Sequence, residues 1–155
     1  MVESSIVLYK NSFGRDTHQY EVVDFQIGSP SSVEFDFMKV RSFLNKRKQM
    51  NYGVTDLHFI HVHPKEFGVQ MSRTDVDCLL GLEIAFGTSP LFSIVTFNDE
   101  DLSNVKGDFA SYTVRLDFDG TQDKKEIFNE PINPFAHLEV YPFLFILKHL
   151  SLRKF

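Results

Sequence analysis

The sequence predicts a mixed α/β (α+β) domain in which a mixed central β-sheet is flanked by helices. Short runs rich in β-branched and aromatic residues alternate along the chain with segments whose apolar residues recur at three- and four-residue steps. The 155 residues are 43% hydrophobic, which is enough for one domain with a proper core. Because no repeat or low-complexity tract divides the chain, we expect a single domain over residues 1–155.

The first half of the chain contains two predicted strands and a helix. The strands cover residues 5–10 and 20–27 and are joined by a polar loop. A helix over about 32–48 is indicated by Ser31 and Glu34, which form a capping box pattern. The apolar residues of this segment follow helical spacing: Val33, Phe37, Val40 and Leu44.

The second half continues the alternation of strands and helices. Strands are predicted at 56–63, 91–97, 108–118 and 125–128, a helix after residue 75 up to about Ala85, and a turn at Asp119-Gly120.

Residues 131–155 form a C-terminal appendage with a predicted helix that starts near Pro142. Its apolar face has Lys148 and Arg153 on the opposite side and consists of Phe143, Ile146, Leu147, Leu150 and Phe155. This helix either completes the core or presents a surface to a partner.

Charge and cysteine content exclude several classes of protein. The net charge is −5, and no basic run exceeds Lys46-Arg47-Lys48, which argues against a nucleic-acid partner. The single cysteine, Cys78, cannot form an intramolecular disulfide and is expected to be a buried apolar residue in a reducing compartment. We expect no membrane partner and a cytoplasmic location, since there is no signal-peptide pattern and the apolar runs are short.

The most informative segment reads His61-Val62-His63-Pro64, then seven residues, then Ser72-Arg73-Thr74-Asp75. On a strand, His61 and His63 project from the same face, and Asp75 from the next element would close the third side. Two imidazoles and a carboxylate suit a catalytic Zn²⁺ that keeps one position open for water. Five fixed identities at this spacing occur by chance in roughly one in 10⁵ chains of this size.

Each half of the segment also has an ordinary structural explanation. Two histidines two residues apart can simply be polar residues on a sheet. Ser72 and Asp75 form a capping box before an apolar helix, and a ligand role would turn Asp75 away from the cap. The coincidence of both pairs favours metal binding. His58 has the opposite strand parity and is expected on the other side of the sheet.

These residues resemble the metal-binding motif of the JAMM (MPN+) zinc metallopeptidases. The resemblance covers about residues 2–118 and implies a JAMM/MPN-like (cytidine-deaminase-like) core. The family also requires a glutamate on an early strand, and Glu3, directly before an apolar strand and 58 residues before His61, matches that position. Glu21 and Glu34 are alternatives for this glutamate. Position 62 departs from the family, since Val62 replaces the usual Ser or Thr.

The resemblance implies a zinc-dependent metalloprotease or isopeptidase that hydrolyses a peptide or isopeptide bond. His61, His63 and Asp75 would hold Zn²⁺, Glu3 would carry the proton, and Ser72 would stabilise the oxyanion. The substrate would be a protein or peptide, with a ubiquitin-like protein as one candidate. The alternatives are a non-catalytic MPN-like scaffold for protein interaction and a metal-binding, non-proteolytic protein related to the RadC-like group. The sequence leaves the oligomeric state open.

Overall fold

The computed structural model describes residues 2–11, 19–29, 35–49, 57–86, 90–119 and 122–152. They form a mixed six-stranded sheet in the order β2-β1-β3-β4-β5-β6, together with three α-helices. This confirms the predicted mixed α/β class. The predicted residues Ser31, Val33, Glu34, Gly120 and Phe155 lie outside the described residues.

The strands are β1 (Ser4–Asn11), β2 (Gln19–Ile27), β3 (Leu57–Val62), β4 (Leu91–Phe97), β5 (Gly107–Asp119) and β6 (Gln122–Glu130). The helices are α1 (Phe37–Gln49), α2 (Arg73–Phe86) and α3 (Tyr141–Ser151), and a short 3₁₀ turn covers Lys65–Phe67. The predicted strand at 125–128 was too short, because β6 pairs with β5 along its whole length.

The neighbours of β3 determine where its two ends lie. β3 pairs antiparallel with β1 and parallel with β4. A parallel pair needs a crossover connection, which α2 provides between β3 and β4. The antiparallel pairing brings the start of β1 beside the end of β3, where Ser4 is aligned with Val62.

Helices cover both faces of the sheet, as the alternation of side chains along the strands requires. On one face, Val7 and Phe59 belong to a core cluster with residues of α1 and α2. On the other, Ile6 and Ile60 belong to a second cluster with Leu144 and Leu147 of α3. Below, these are called the α1/α2 face and the α3 face.

The C-terminal helix packs on the sheet with a different side from the one that the sequence indicated. Leu144, Leu147, Lys148 and Ser151 are buried, whereas Ile146 of the predicted apolar face is 48% exposed. The prediction that Lys148 faces solvent was wrong. Its Nζ donates to Asp99 Oδ1 (3.0 Å) and to the carbonyl oxygens of residues 101 (2.8 Å) and 104 (3.1 Å), which compensate the burial of the charge.

Among the described residues, no helix combines the length and the apolar character needed to cross a membrane.

Candidate metal centre

The end of β3 holds two buried imidazoles side by side. His61 and His63 are 5% and 4% exposed, and their ring centroids are 4.6 Å apart. Both side chains lie on the α1/α2 face because they alternate with Val62, which belongs to the α3-face cluster. His63 follows β3 directly, and its backbone N–H donates to the Val95 carbonyl of β4 at 2.9 Å. The ring of each histidine therefore projects from backbone fixed in the sheet.

Glu3 reaches this pair from the start of β1. Its Oε2 lies 3.3 Å from His61 Nε2, and its side chain is buried. Glu21 does not approach the histidines through the sheet: it is aligned with Tyr9 on β1, about 20 Å along the strand from Glu3 at ~3.3 Å per residue. Glu34 lies outside the described residues. The structure thus brings together with the histidines the glutamate that the resemblance indicated.

Asp75 lies in the first turn of α2 and contacts both histidines. Its Oδ1 lies 3.1 Å from His61 Nδ1, and its Oδ2 lies 3.1 Å from His63 Nε2. Asp75 also forms the capping box, since Oδ2 accepts the Ser72 N–H (3.0 Å) and the Asp75 N–H donates to Ser72 Oγ (3.1 Å). Asp75 therefore caps the helix and contacts both histidines at the same time, since a carboxylate has enough acceptor sites for both.

Three of these residues form a group that could hold a metal ion. One ligand atom from each of Glu3, His61 and His63 lies within 4.8 Å of the others, and all three residues are buried. Asp75 is not part of that group, although its two carboxylate oxygens contact the same two histidines. Glu3 and Asp75 are therefore alternative carboxylates for completing a ligand set with the pair of imidazoles.

The hydrogen bonding of His63 fits a metal ligand. Its Nδ1 lies 3.1 Å from the Gly68 carbonyl oxygen, which can only accept, so Nδ1 carries the hydrogen. In the neutral ring Nε2 then presents a lone pair to Asp75 Oδ2, and two acceptors at this distance repel unless a proton or a cation lies between them. Metal-binding histidines commonly donate their other ring N–H to a carbonyl in this way.

His61 and its neighbour on β1 also have buried polar atoms without hydrogen bonds. His61 Nδ1 is near Asp75 Oδ1 but not in hydrogen-bonding geometry, and it has no hydrogen-bond partner among the described residues. The same holds for Ser5 Oγ, in the residue aligned with His61 across the β1–β3 pair. Buried polar atoms without partners are costly, so a bound ion and its water would satisfy groups that the chain leaves unsatisfied.

The electrostatics of the cluster favour a positive charge at its centre. Burial alone would lower the pKa of His61, but contacts with Asp75 and Glu3 outweigh burial and raise its pKa above 6.5. Burial alone would raise the pKa of Asp75, yet its close contacts with His61 and His63 hold that pKa well below 3.8. Asp75 is therefore ionised at neutral pH, and the site attracts a proton or a metal cation.

Ser72 lies at the edge of the cluster with an available hydroxyl hydrogen. Its Oγ accepts the Asp75 N–H, so the hydroxyl hydrogen is not used in the cap. The residue is exposed, whereas Asp75 is buried. This leaves Ser72 able to donate to a ligand that approaches from solvent.

The loop between His63 and Ser72 contains a residue, Gly68, that contacts His63 and that the motif did not indicate. Gly68 orients His63 through its carbonyl and has φ 65°, a conformation that favours glycine. The neighbouring Val69 carbonyl accepts a hydrogen bond from Tyr112 Oη on β5 at 3.1 Å. The glycine between His63 and Asp75 could have indicated the contact with His63 from the sequence. Nothing in the sequence linked Tyr112 to this loop.

A groove of about 410 Å³ lies beside the cluster and is lined by Gln26, Phe35, Asp36, Phe37 and Met38. Phe35 lies between the groove and the cluster, since it lines the groove and its ring centroid is 6.4 Å from that of His61. Phe37 and Met38 are 40% and 73% exposed, so the groove has an apolar rim.

Two other ionisable residues take no part in the cluster. His58 lies on the opposite face, as predicted, and contacts Ser93 Oγ at 2.7 Å. Burial raises the pKa of Cys78 to about 12, with a further contribution from the charge of Asp75. Since the thiolate is the reactive form, this argues against a nucleophilic role for the cysteine.

No protein-family model matches this chain, and no curated protein matches it significantly.

Proposed function

We propose that this protein is a JAMM-type zinc metallopeptidase, with isopeptide or peptide bonds as its substrates and a JAMM/MPN-like core. One observation carries the proposal: Glu3, from 58 residues upstream, meets His61 in a buried cluster that also contains His63 and Asp75. The motif resemblance required a glutamate at this place, and the folded chain supplies one.

The residues present suit zinc. His61, His63 and Asp75 would be the ligands, with imidazole nitrogens and a carboxylate oxygen as the donor atoms that catalytic zinc uses. When bound, the ion supplies Lewis acidity, which polarises a carbonyl group and lowers the pKa of water towards about 7.

The resemblance assigns roles to the remaining residues. Glu3 takes a proton from the attacking water and delivers it to the leaving amine, as a general base and then a general acid. Its carboxylate lies at Nε2 of His61, whereas that of Asp75 lies at Nδ1 of the same ring. Ser72 donates its free hydroxyl hydrogen to the developing oxyanion, and loss of such a donor typically costs about 10²- to 10³-fold in rate.

The substrate class follows from the resemblance and from the surface beside the cluster. A peptide segment, such as the tail of a ubiquitin-like protein, would lie in the groove next to Phe35 and place its side chains on Phe37 and Met38. Binding sites for such segments are usually apolar with few polar groups, as this groove is at its rim.

A specific observation also favours a second arrangement, a metal site that does not catalyse hydrolysis. Glu3, His61 and His63 are the group whose ligand atoms lie within 4.8 Å of one another. If Glu3 is itself a ligand, it is not available as the proton carrier, and Asp75 serves only to orient the histidines.

Metal content of site variants tests which carboxylate is the ligand. We expect about one zinc per chain in the native protein, retention of zinc in Glu3→Gln, and its loss in Asp75→Asn and His61→Ala, measured by elemental analysis. Exposed residues nearby give matched controls, Asp77→Asn and Glu66→Gln, which should keep their zinc. Zinc loss in Glu3→Gln with retention in Asp75→Asn would establish the second arrangement instead.

Hydrolysis tests the activity itself. Native protein should cleave at least one member of a panel of fluorogenic peptide amides and ubiquitin-like conjugates, and chelator or Glu3→Gln should abolish cleavage. Glu66→Gln should retain it, because that carboxylate is exposed in the loop after Pro64. A zinc-loaded native protein that is inactive on the whole panel would favour the non-catalytic arrangement.

A further inference from the structure

The end of α3 contacts the start of β1 on both sides of Glu3. The Val2 N–H donates to the Ser151 carbonyl at 2.9 Å. The Ser4 and Ser151 hydroxyl oxygens are 2.6 Å apart and hydrogen-bonded. Ser151 is the last residue of α3, so one helix terminus binds the residue before Glu3 and the residue after it.

This contact is buried and lies on the face of the sheet opposite the candidate site. Ser4 and Ser151 are both 0% exposed. Because successive side chains of a strand point to opposite faces, Ser4 faces α3 while Glu3 faces the histidines. The helix therefore holds the backbone of β1 from the α3 face, while the Glu3 carboxylate contacts His61 on the α1/α2 face.

The backbone of Glu3 is also held by the two residues that follow β2. Its N–H donates to the Ser29 carbonyl at 2.9 Å, and its own carbonyl accepts the Gly28 N–H at 2.8 Å. These two residues therefore hold Glu3 itself, and Ser151 holds its two neighbours.

Packing alone does not require two serines at this place. The surrounding α3-face cluster is apolar, with Ile6, Leu147 and Val62 among its members. A buried hydroxyl needs a partner, so the Ser4–Ser151 pair fixes one relative position of strand and helix, whereas a pair of apolar side chains tolerates sliding.

From these contacts we infer that Ser151 is a positioning residue that holds Glu3 beside His61, where its carboxylate can reach the attacking water. The inference rests on the proposed function, in which Glu3 carries the proton between water and the leaving amine. Such a transfer requires hydrogen-bonding distance, and the 3.3 Å between Glu3 Oε2 and His61 Nε2 shows how closely β1 holds the carboxylate to the histidine pair.

Three variants test this through kinetics: Ser151→Ala, Ser4→Ala and the double variant. Each should lower kcat by about 10- to 100-fold, the scale expected for a displacement near 1 Å, while KM and zinc content stay at native values. The double variant should be no slower than either single one, because both changes remove the same hydrogen bond.

Ser93→Ala is the matched control. Ser93 is also a fully buried, hydrogen-bonded serine, but it lies on β4 and bonds to His58 and Ser111. Its loss should destabilise the fold to a similar extent and leave kcat unchanged. A fall in kcat equal to that of Ser151→Ala would mean that general destabilisation explains both, and the inference would be wrong.

Hydrogen exchange of the metal-free protein gives a readout that does not depend on activity. Amides of residues 2–6 should exchange faster in Ser151→Ala than in the native protein, and at the native rate in Ser93→Ala. Native exchange and native kcat in Ser151→Ala would overturn the inference. An inactive native protein would overturn the proposed function and with it the link to Glu3, while exchange would still report whether Ser151 anchors β1.

Discussion

Gly68 combines an unusual backbone conformation with a direct role at the histidines. Its φ of 65° and ψ of −163° fall in a region that is essentially restricted to glycine. A Cβ at this position would meet nothing within 4 Å, so a substitution acts through the backbone alone. Since the Gly68 carbonyl accepts the His63 Nδ1 hydrogen, a change in the backbone here alters the orientation of His63, a proposed metal ligand.

We therefore predict that Gly68→Ala lowers the free energy of unfolding by about 1–3 kcal/mol and weakens zinc binding. Denaturant unfolding and a competitive zinc titration would measure the two effects. Gly81→Ala is the matched control, because Gly81 lies within α2 with open space at its Cβ position, where alanine should stabilise the helix by about 0.5–1 kcal/mol. Native zinc affinity in Gly68→Ala would show that the loop does not orient His63.

Under the proposed function, the pKa of His61 predicts how zinc affinity depends on pH. Because contacts with Asp75 and Glu3 raise this pKa above 6.5, a zinc ion bound by His61 would have to displace a proton below the raised value. Affinity should rise about tenfold per pH unit in that range and then level off.

The stability of the metal-free protein should change in the opposite sense. A raised folded-state pKa contributes stability that is fully present below 6.5 and is lost as pH rises through the folded value. Zinc competition titrations and thermal melts between about pH 5.5 and 8.5 would measure both trends. Affinity independent of pH would mean that His61 does not bind the metal.

At the residue scale, the sequence alone predicted the positions of those side chains that follow strand and helix periodicity. The shared face of His61 and His63 follows from the alternation of a strand, and the cap at Ser72 follows from a local pattern. The Gly68 carbonyl contact depends on the path of the loop after Pro64, which no periodicity describes.

Three strands are joined on the α3 face by a buried chain of hydrogen bonds. Ser111 Oγ donates to the Ile132 carbonyl at 2.7 Å, so the hydroxyl of Ser93, 2.7 Å away, must donate to Ser111. His58 Nε2, 2.7 Å from Ser93 Oγ, then carries the hydrogen and donates to Ser93. Because each N–H or hydroxyl in this series donates in the direction away from His58, the ring cannot act as a base towards Ser93. The series of hydrogen bonds links β3, β4 and β5.

The burial of His58 predicts a specific dependence of stability on pH. Burial, with a contribution from His137, lowers the pKa of His58 from 6.5 to about 3. The unfolded chain takes up this proton below 6.5 while the folded protein does not, so stability is lost as pH falls through this window.

Compared with His58→Gln, the native metal-free protein should lose about 1.4 kcal/mol more per pH unit between about pH 6 and 4. Glutamine keeps an N–H that can donate to Ser93, which makes it a suitable replacement. Denaturant unfolding at several pH values would measure the difference in slope. Equal slopes would show that His58 is protonated in the folded state.

At the scale of elements, spacing predicted β4 and the approximate extents of β1, β2, β3 and β5 within about two residues. It did not predict which side of α3 would be buried. The predicted stripe included Ile146, but Lys148 is buried because acceptors on the loop after β4 offset the cost of its charge. Such tertiary compensation is not visible in a hydrophobic pattern.

At the scale of the whole molecule, α3 supplies buried apolar side chains to the core on the α3 face. Leu144 and Leu147 are 0% exposed, and burial of such side chains contributes about 1.5–3 kcal/mol each. Together with the contacts of Lys148 and Ser151, this is a large share of the roughly 5–15 kcal/mol by which domains are stable.

Deletion of residues 142–155 should therefore unfold or aggregate the protein, as measured by circular dichroism and gel filtration. Leu147→Ala should cost about 2–5 kcal/mol, whereas Ile146→Ala, at a residue that is 48% exposed, should cost much less. A truncated protein that stays folded and zinc-loaded but no longer recognises its partner would show instead that the segment serves as an interface.

The pairing that forms the candidate site is also a property of the whole molecule. Glu3 and His61 are 58 residues apart, and their contact depends on the register of β1 against β3. From the sequence, only the family resemblance predicted this contact, because local spacing carries no information on strand order.

The Ser4–Ser151 contact has a consequence for synthesis on the ribosome. Its two residues are separated by 147 positions, so they can meet only after almost the whole described chain has left the exit tunnel. Translation proceeds from the N-terminus, so Glu3 is made before Ser151, the α3 residue that supports its neighbours. A nascent chain can therefore contain Glu3 and both histidines before the helix that holds β1 has been made. Under the proposed function, full efficiency of proton transfer would require that α3 has been made and has docked on β1.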